Sequence, residues 1–84
     1  MANEPKGDPQ ALVQHIAKSL AESPEQVQAV VVPKGRETAV ELTVAESDLG
    51  RVIGRGGRTA KAFRQVLRAA GDAAGQRYEL EILE

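Results

Sequence analysis

The residues with most to offer a ligand lie in one run, Val52-Ile53-Gly54-Arg55-Gly56-Gly57-Arg58-Thr59-Ala60-Lys61. Glycines 54, 56 and 57 permit backbone angles with φ > 0 and let another backbone come close. A helix starting at Arg58 would turn free N–H groups and the positive end of its dipole toward the loop, which favours a phosphate. Arg55 at the tip can fork onto phosphate oxygens, as lysine cannot. Val52 and Ile53 add apolar surface beside the cations. Bare amides, guanidinium groups and an aliphatic patch together suit a nucleic-acid strand better than a small phosphate ester. A plain connector between two helices would need one glycine; three, flanked by Arg51, Arg55 and Arg58, exceed that need.

Two other phosphate loops fail on their own chemistry. A Walker loop needs Gly-Lys-Ser/Thr, with a glycine five residues earlier. Gly57-Arg58-Thr59 has arginine for lysine, and Val52 stands where the first glycine belongs. The dinucleotide fingerprint needs a third glycine where Thr59 stands, and a strand before the loop, where a short helix is expected. No catalytic residues suggest themselves. The chain has one histidine, no cysteine and no carboxylate near the loop, so nucleophile, base and orienting group cannot be assembled. His15 reads as a surface or half-buried residue of a helix. The scattered acids give no metal site, and no cofactor is implied. Phe63 and Tyr78, the only aromatics, fall on expected core faces. That disfavours modules that stack bases on exposed rings.

The net charge of −1 conceals an asymmetry. Between Leu49 and Gly71 lie Arg51, Arg55, Arg58, Lys61, Arg64 and Arg68 and no acid, so that segment carries +6 and the remainder −7. Phosphate contacts are local, and salt limits them to about 10 Å, so the distribution matters more than the total. Eighty-four residues make one domain. No apolar run approaches the ~20 residues of a membrane helix, and Met1–Gly7 lacks the apolar stretch of a signal peptide. A cytoplasmic protein without a membrane partner is the expectation.

The elements that must carry the loop can be read from periodicity. Asp8-Pro9 caps a helix from 9 to 22 with an apolar stripe of Leu12, Ile16 and Leu20, stopped by Ser23-Pro24. Residues 26–32 read as a strand and 33–36 as a turn. From Glu37 to Val44 the alternation is clean: Thr38, Val40, Leu42 and Val44 face inward, Glu37, Ala39, Glu41 and Thr43 outward. A short helix to Ile53 ends at Gly54. A second runs from Arg58 to Ala74 with Ala60, Phe63, Val66, Leu67 and Ala70 as its apolar face. Gly71 or Gly75 stops it. Residues 77–83 form the last strand, with Tyr78, Leu80 and Ile82 inward. The order helix, strand, strand, helix, helix, strand predicts an α+β domain over residues 8–84, a three-stranded sheet with helices on one face. Residues 1–7 read as a flexible N-terminal segment.

From Leu49 to Ala62 the chain resembles the KH signature. More narrowly, it is similar to the small bacterial single-KH RNA-binding proteins of the KhpA type, over nearly its whole length. The resemblance implies the type II KH topology and non-enzymatic binding of single-stranded RNA. It makes Gly54, Arg55, Gly56 and Gly57 the backbone clamp. Val52 and Ile53 would border the base groove, Arg58, Thr59 and Lys61 would line its other wall, and Arg51 would add a phosphate contact. Gly56 departs from the family pattern, where this position is often larger or polar, and implies a more flexible loop. The family is linked to RNA-chaperone-like roles, post-transcriptional regulation and control of cell division or envelope growth. It also implies pairing, as a homodimer or as a heterodimer with a larger KH-domain-containing RNA-binding protein. A groove that meets a protein instead of a base is the competing reading of Val52 and Ile53.

Overall fold

The computed structural model describes residues 8–84; the leading segment expected to be flexible, 1–7, lies outside them. Helix α1 spans Pro9–Leu20. The Asp8 carboxylate caps it, accepting from the Ala11 N–H at 3.0 Å. Its apolar stripe buries Val13 and Ala17, with Leu12, Ile16 and Leu20 half-buried beside them. The helix stops two residues short of the expected Glu22. The N–H groups of Glu22 and Ser23 are taken instead by the carboxylate of Asp48, at 3.0 Å each. A 3-10 turn at Pro24–Gln26 follows.

Strands β1 (Gln28–Lys34) and β2 (Glu37–Thr43) form an antiparallel hairpin. Only Gly35 and Arg36 are left for the turn. Gly35 has φ 63° and among the described residues none but glycine has positive φ, which fits a type II′ turn with glycine first. Pro33, expected in the turn, therefore belongs to β1. The strand is an edge, and opposite Thr38 the proline falls in a non-hydrogen-bonded pair. Its missing N–H would have pointed away from the sheet. Ala29, in another non-hydrogen-bonded pair opposite Leu42, also turns its carbonyl outward, where Gln10 Nε2 of α1 donates to it at 2.8 Å.

The chain leaves β2 through a 3-10 turn at Glu46–Asp48 and enters α2, Leu49–Ile53. The glycine loop links α2 to α3, Arg58–Ala74, and β3 (Arg77–Ile82) then lies parallel to β2. The sheet order is β1-β2-β3, with β2 central. Val13, Ala17, Ala29, Val40, Leu42, Val52, Phe63, Leu67 and Leu80 join in one core, so all three helices cover the same face.

Two face assignments change. Val66 is 47% exposed, because at 100° per residue it sits well to the side of the Ala60–Phe63–Leu67–Gly71 stripe that is buried. Ala39, expected to face water, is 1% exposed. It lies on the uncovered sheet face between Val32 and Glu79. Lys34 Nζ on β1 reaches Glu81 on β3 at 2.8 Å, and that link must cross the central strand. A methyl group at position 39 leaves room for it. The Glu81 carboxylate, with Glu41 and Glu79 nearby, holds the Lys34 pKa above its ordinary value.

Gly71 lies inside α3 and is buried. The helix ends instead at Gly75, φ 69°, where the Gln76 N–H bonds to the Gly71 carbonyl at 2.7 Å. A Cβ at Gly71 would stand 2.9 Å from the Gln76 carbonyl oxygen and 3.2 Å from the Tyr78 ring. The glycine thus sets how closely β3 approaches α3. Gly71→Ala should lower stability in urea unfolding by about 1–2 kcal/mol, because backbone overpacking outweighs the helix-propensity gain.

Candidate nucleic-acid interface

The Ile53–Arg58 loop is built on three glycines with positive φ, with Arg55 between the first two. Gly54 takes φ 79°, ψ 168°, Gly56 φ 64°, ψ 18°, and Gly57 φ 77°, ψ 12°. The Gly54 N–H closes α2 onto the Gly50 carbonyl at 2.9 Å, and the Gly57 N–H bonds back to the Gly54 carbonyl at 3.1 Å. Gly57 then occupies the N-cap of α3 and has no side chain to offer the first-turn amides. No acid lies in that turn. Its exposed side chains are the cations Arg58 and Lys61, with exposed Arg55 on the loop before them. The positive helix end and three cations therefore share one small surface, an arrangement relieved by an anion.

The three glycines are required for different reasons. A Cβ on Gly54 would lie 2.6 Å from Thr59 Cβ and 2.8 Å from Thr59 N, so this glycine allows the end of α2 to lie against the first turn of α3. Gly56 and Gly57 have open space where a Cβ would project and are constrained by φ alone. Gly56, read from sequence as a source of looseness, occupies a left-handed conformation that L-residues adopt at a cost. Asp and Asn tolerate that region best among the others. Gly54→Asp would collide with Thr59, whereas Gly56→Asp would place a negative charge in the loop without a collision.

The other expected site residues divide into two groups. Gly54, Arg55, Gly56, Gly57, Arg58, Thr59 and Lys61 lie together on the loop and first turn of α3. Ile53 is half-buried and opens beside them, while Val52 has no accessible surface. Val52 therefore cannot border a groove: it points into the core and supports the platform from beneath. One turn before Ile53, Leu49 lines a depression of about 480 Å³ with Thr43, Val44 and Leu83, and the carboxylates of Glu46 and Glu84 line it too. Arg51 points elsewhere. Its Nη2 lies 3.1 Å from Glu22 Oε2 and its Nε 3.4 Å from Asp48 Oδ1.

Asp48 is absent from the site residues expected from the sequence. It stands at the start of α2, yet its side chain does not cap that helix. Fully buried, it accepts from Glu22 and Ser23 across the fold. Those two backbone N–H bonds hold its pKa below the ordinary 3.8, assisted by Arg51 and opposed by burial. No local pattern announces a carboxylate that bonds more than twenty residues away.

A mixed three-stranded sheet, covered on one face and crossed by a helix, Gly-x-x-Gly loop and helix, defines a KH domain of the type II order. The description "KhpA/KhpB, KH domain" matches residues 10–82, and the chain belongs to that family. The RNA-binding protein KhpA of Borreliella burgdorferi is 40% identical over 73 residues, 87% of this chain and 89% of that one. The RNA-binding protein KhpA of Clostridium acetobutylicum is 43% identical over 72 residues, 86% and 96% of the two chains. Neither the family description nor these names denote an enzyme. Among solved structures, Era in complex with MgGDPNP and a 16S ribosomal RNA segment superposes with a TM-score of 0.61 at 20% identity. It covers 93% of this chain and 30% of that one, and the likeness is one of fold. Among the described residues no helix is long and apolar enough to cross a membrane.

The depressed Asp48 pKa has a definite sign. Its contribution to stability is present above the unfolded value and is lost as pH falls through the folded one. Urea midpoints measured at about pH 6 and about pH 3 should fall further for the wild type than for Asp48→Asn. Equal falls would remove Asp48 from the acid response.

Proposed function

We propose that this chain binds single-stranded RNA without catalysing a reaction, gripping the strand with Gly54–Gly57 and the first turn of α3. The observation that carries this reading is the coincidence of three positive-φ glycines with exposed Arg55, Arg58 and Lys61 at the uncapped start of a helix. Backbone amides and guanidinium groups take the phosphates. Half-buried Ile53 offers aliphatic surface to the bases, and Thr59 sits at the wall beside Gly54. The relatives' name, RNA-binding protein KhpA, supports the choice of RNA. A KH loop clamps about four nucleotides, so a single domain binds weakly and reads little sequence. That suits an RNA chaperone or post-transcriptional regulator of the cytoplasm.

A specific observation favours pairing as well. Ala62, Val66, Ala69 and Ala73 recur at spacings of four, three and four on α3, all exposed. They form a narrow apolar strip beside the cations, with small residues that let another helix come close. A second copy is its simplest partner; a larger protein with its own KH domain would use the same strip. Two linked grooves would raise affinity through effective concentration.

The loop is tested by titrating a short labelled single-stranded RNA at several salt concentrations. Wild-type binding should weaken with a log–log slope of about −0.7 per phosphate contact. Arg55→Asp with Gly56→Asp should abolish binding while the far-ultraviolet circular dichroism stays native; undiminished binding would place the clamp elsewhere. Pairing is tested separately by light scattering after size exclusion. Val66→Arg should convert a dimer to a monomer, whereas a monomeric wild type would remove the strip as an interface.

A further inference from the structure

We infer that Arg51 and Asp48 are positioning residues: they fix the rotation of α2, and with it the Gly54–Gly57 loop, and Arg51 does this instead of touching phosphate. The inference deepens the RNA-binding reading and rests on it for its effect on affinity. Helix α2 has five residues and ends directly in the loop. Such a helix has no stability of its own. Val52 enters the core, with Leu49 and Ile53 packed half-buried beside it, but non-directional apolar contacts leave a short helix some freedom to rock.

The neighbouring residues remove this freedom. Asp48, buried at the start of α2, takes the Glu22 and Ser23 N–H groups at 3.0 Å with its two oxygens. Arg51 then spans from Asp48 Oδ1, at 3.4 Å, to Glu22 Oε2, at 3.1 Å. The exit of α1 and the entry of α2 are thereby tied by three polar contacts, and the Arg51–Asp48 pair locks the two anchoring side chains together. The same rotation must bring Gly54 against Thr59, where there is no room for a Cβ. Moving the Arg51 guanidinium to a phosphate would break both its ion pairs and take the cation from a buried carboxylate. Arg55, Arg58 and Lys61 have no ion pair within 4.0 Å among the described residues and are available at no such cost.

A phosphate contact and a positioning role differ in their salt response. The full chain is titrated with a short mixed-sequence single-stranded RNA over a salt series, and the amide resonances of Gly54, Gly56 and Gly57 are followed in the free protein. Arg51→Gln should lower affinity about fivefold, as loss of preorganisation does, with the salt slope unchanged and the loop glycine resonances shifted. Arg51→Lys should behave like Arg51→Gln, since an ammonium cannot fork to two carboxylates. Glu22→Gln should add little to Arg51→Gln. Arg55→Gln, by contrast, should flatten the slope by about 0.7. Arg51→Gln flattening the slope by the same amount, or full rescue by Arg51→Lys, would make Arg51 a phosphate contact and overturn the inference. Unchanged affinity and resonances with only a lower urea midpoint would reduce the brace to ordinary stability. Failure of the wild type to bind RNA would instead refute the proposed function; the loop resonances of Arg51→Gln would still decide the positioning.

Discussion

A helix of five residues cannot hold its own direction in water, and the glycine loop hangs from the end of one. Everything the loop presents therefore depends on contacts made from outside α2. Val52 enters the core below it, Asp48 ties its start to the exit of α1, and Thr59 closes against Gly54 at its end. The loop is consequently a constrained turn, although it is the most glycine-rich part of the chain. Glycine here supplies angles that other residues adopt at a cost, and the surrounding packing removes the freedom that glycine would otherwise bring.

Charge is organised with the same economy. The cations from Arg51 to Arg68 all lie on α2, the loop and α3. Glu37, Glu41, Glu79 and Glu81 alternate onto the uncovered sheet face, with Lys34 drawn across them by Glu81. A polyanion thus meets a surface that differs sharply between the two sides of a small molecule. The net charge near zero hides this, since screening makes each side act nearly alone.

Most of the fold was legible because it rests on periodicity. The 3.6-residue stripes of α1 and α3 and the alternation of β2 follow from one buried face, and local sequence carries that signal. The loop was legible because three glycines have few other uses. What was missed depends on partners distant in sequence. The early end of α1 follows from Asp48, the burial of Ala39 from a Lys34–Glu81 link across the sheet, and the inward aim of Val52 from the rotation of α2. Pro33 was misplaced because a proline reads as a turn unless the strand is known to be an edge.

The edge strand has a further effect. A neighbouring chain laid along β1 would find no donor at Pro33 and a carbonyl at Ala29 already occupied by Gln10. The valine-rich strand Gln28–Lys34, by composition the segment best suited to stacking into aggregates, is thus denied a continuous ladder. Only β3 keeps a backbone edge free of proline. The segment of the chain best suited to serve as a template for another copy is thereby the one least able to do so.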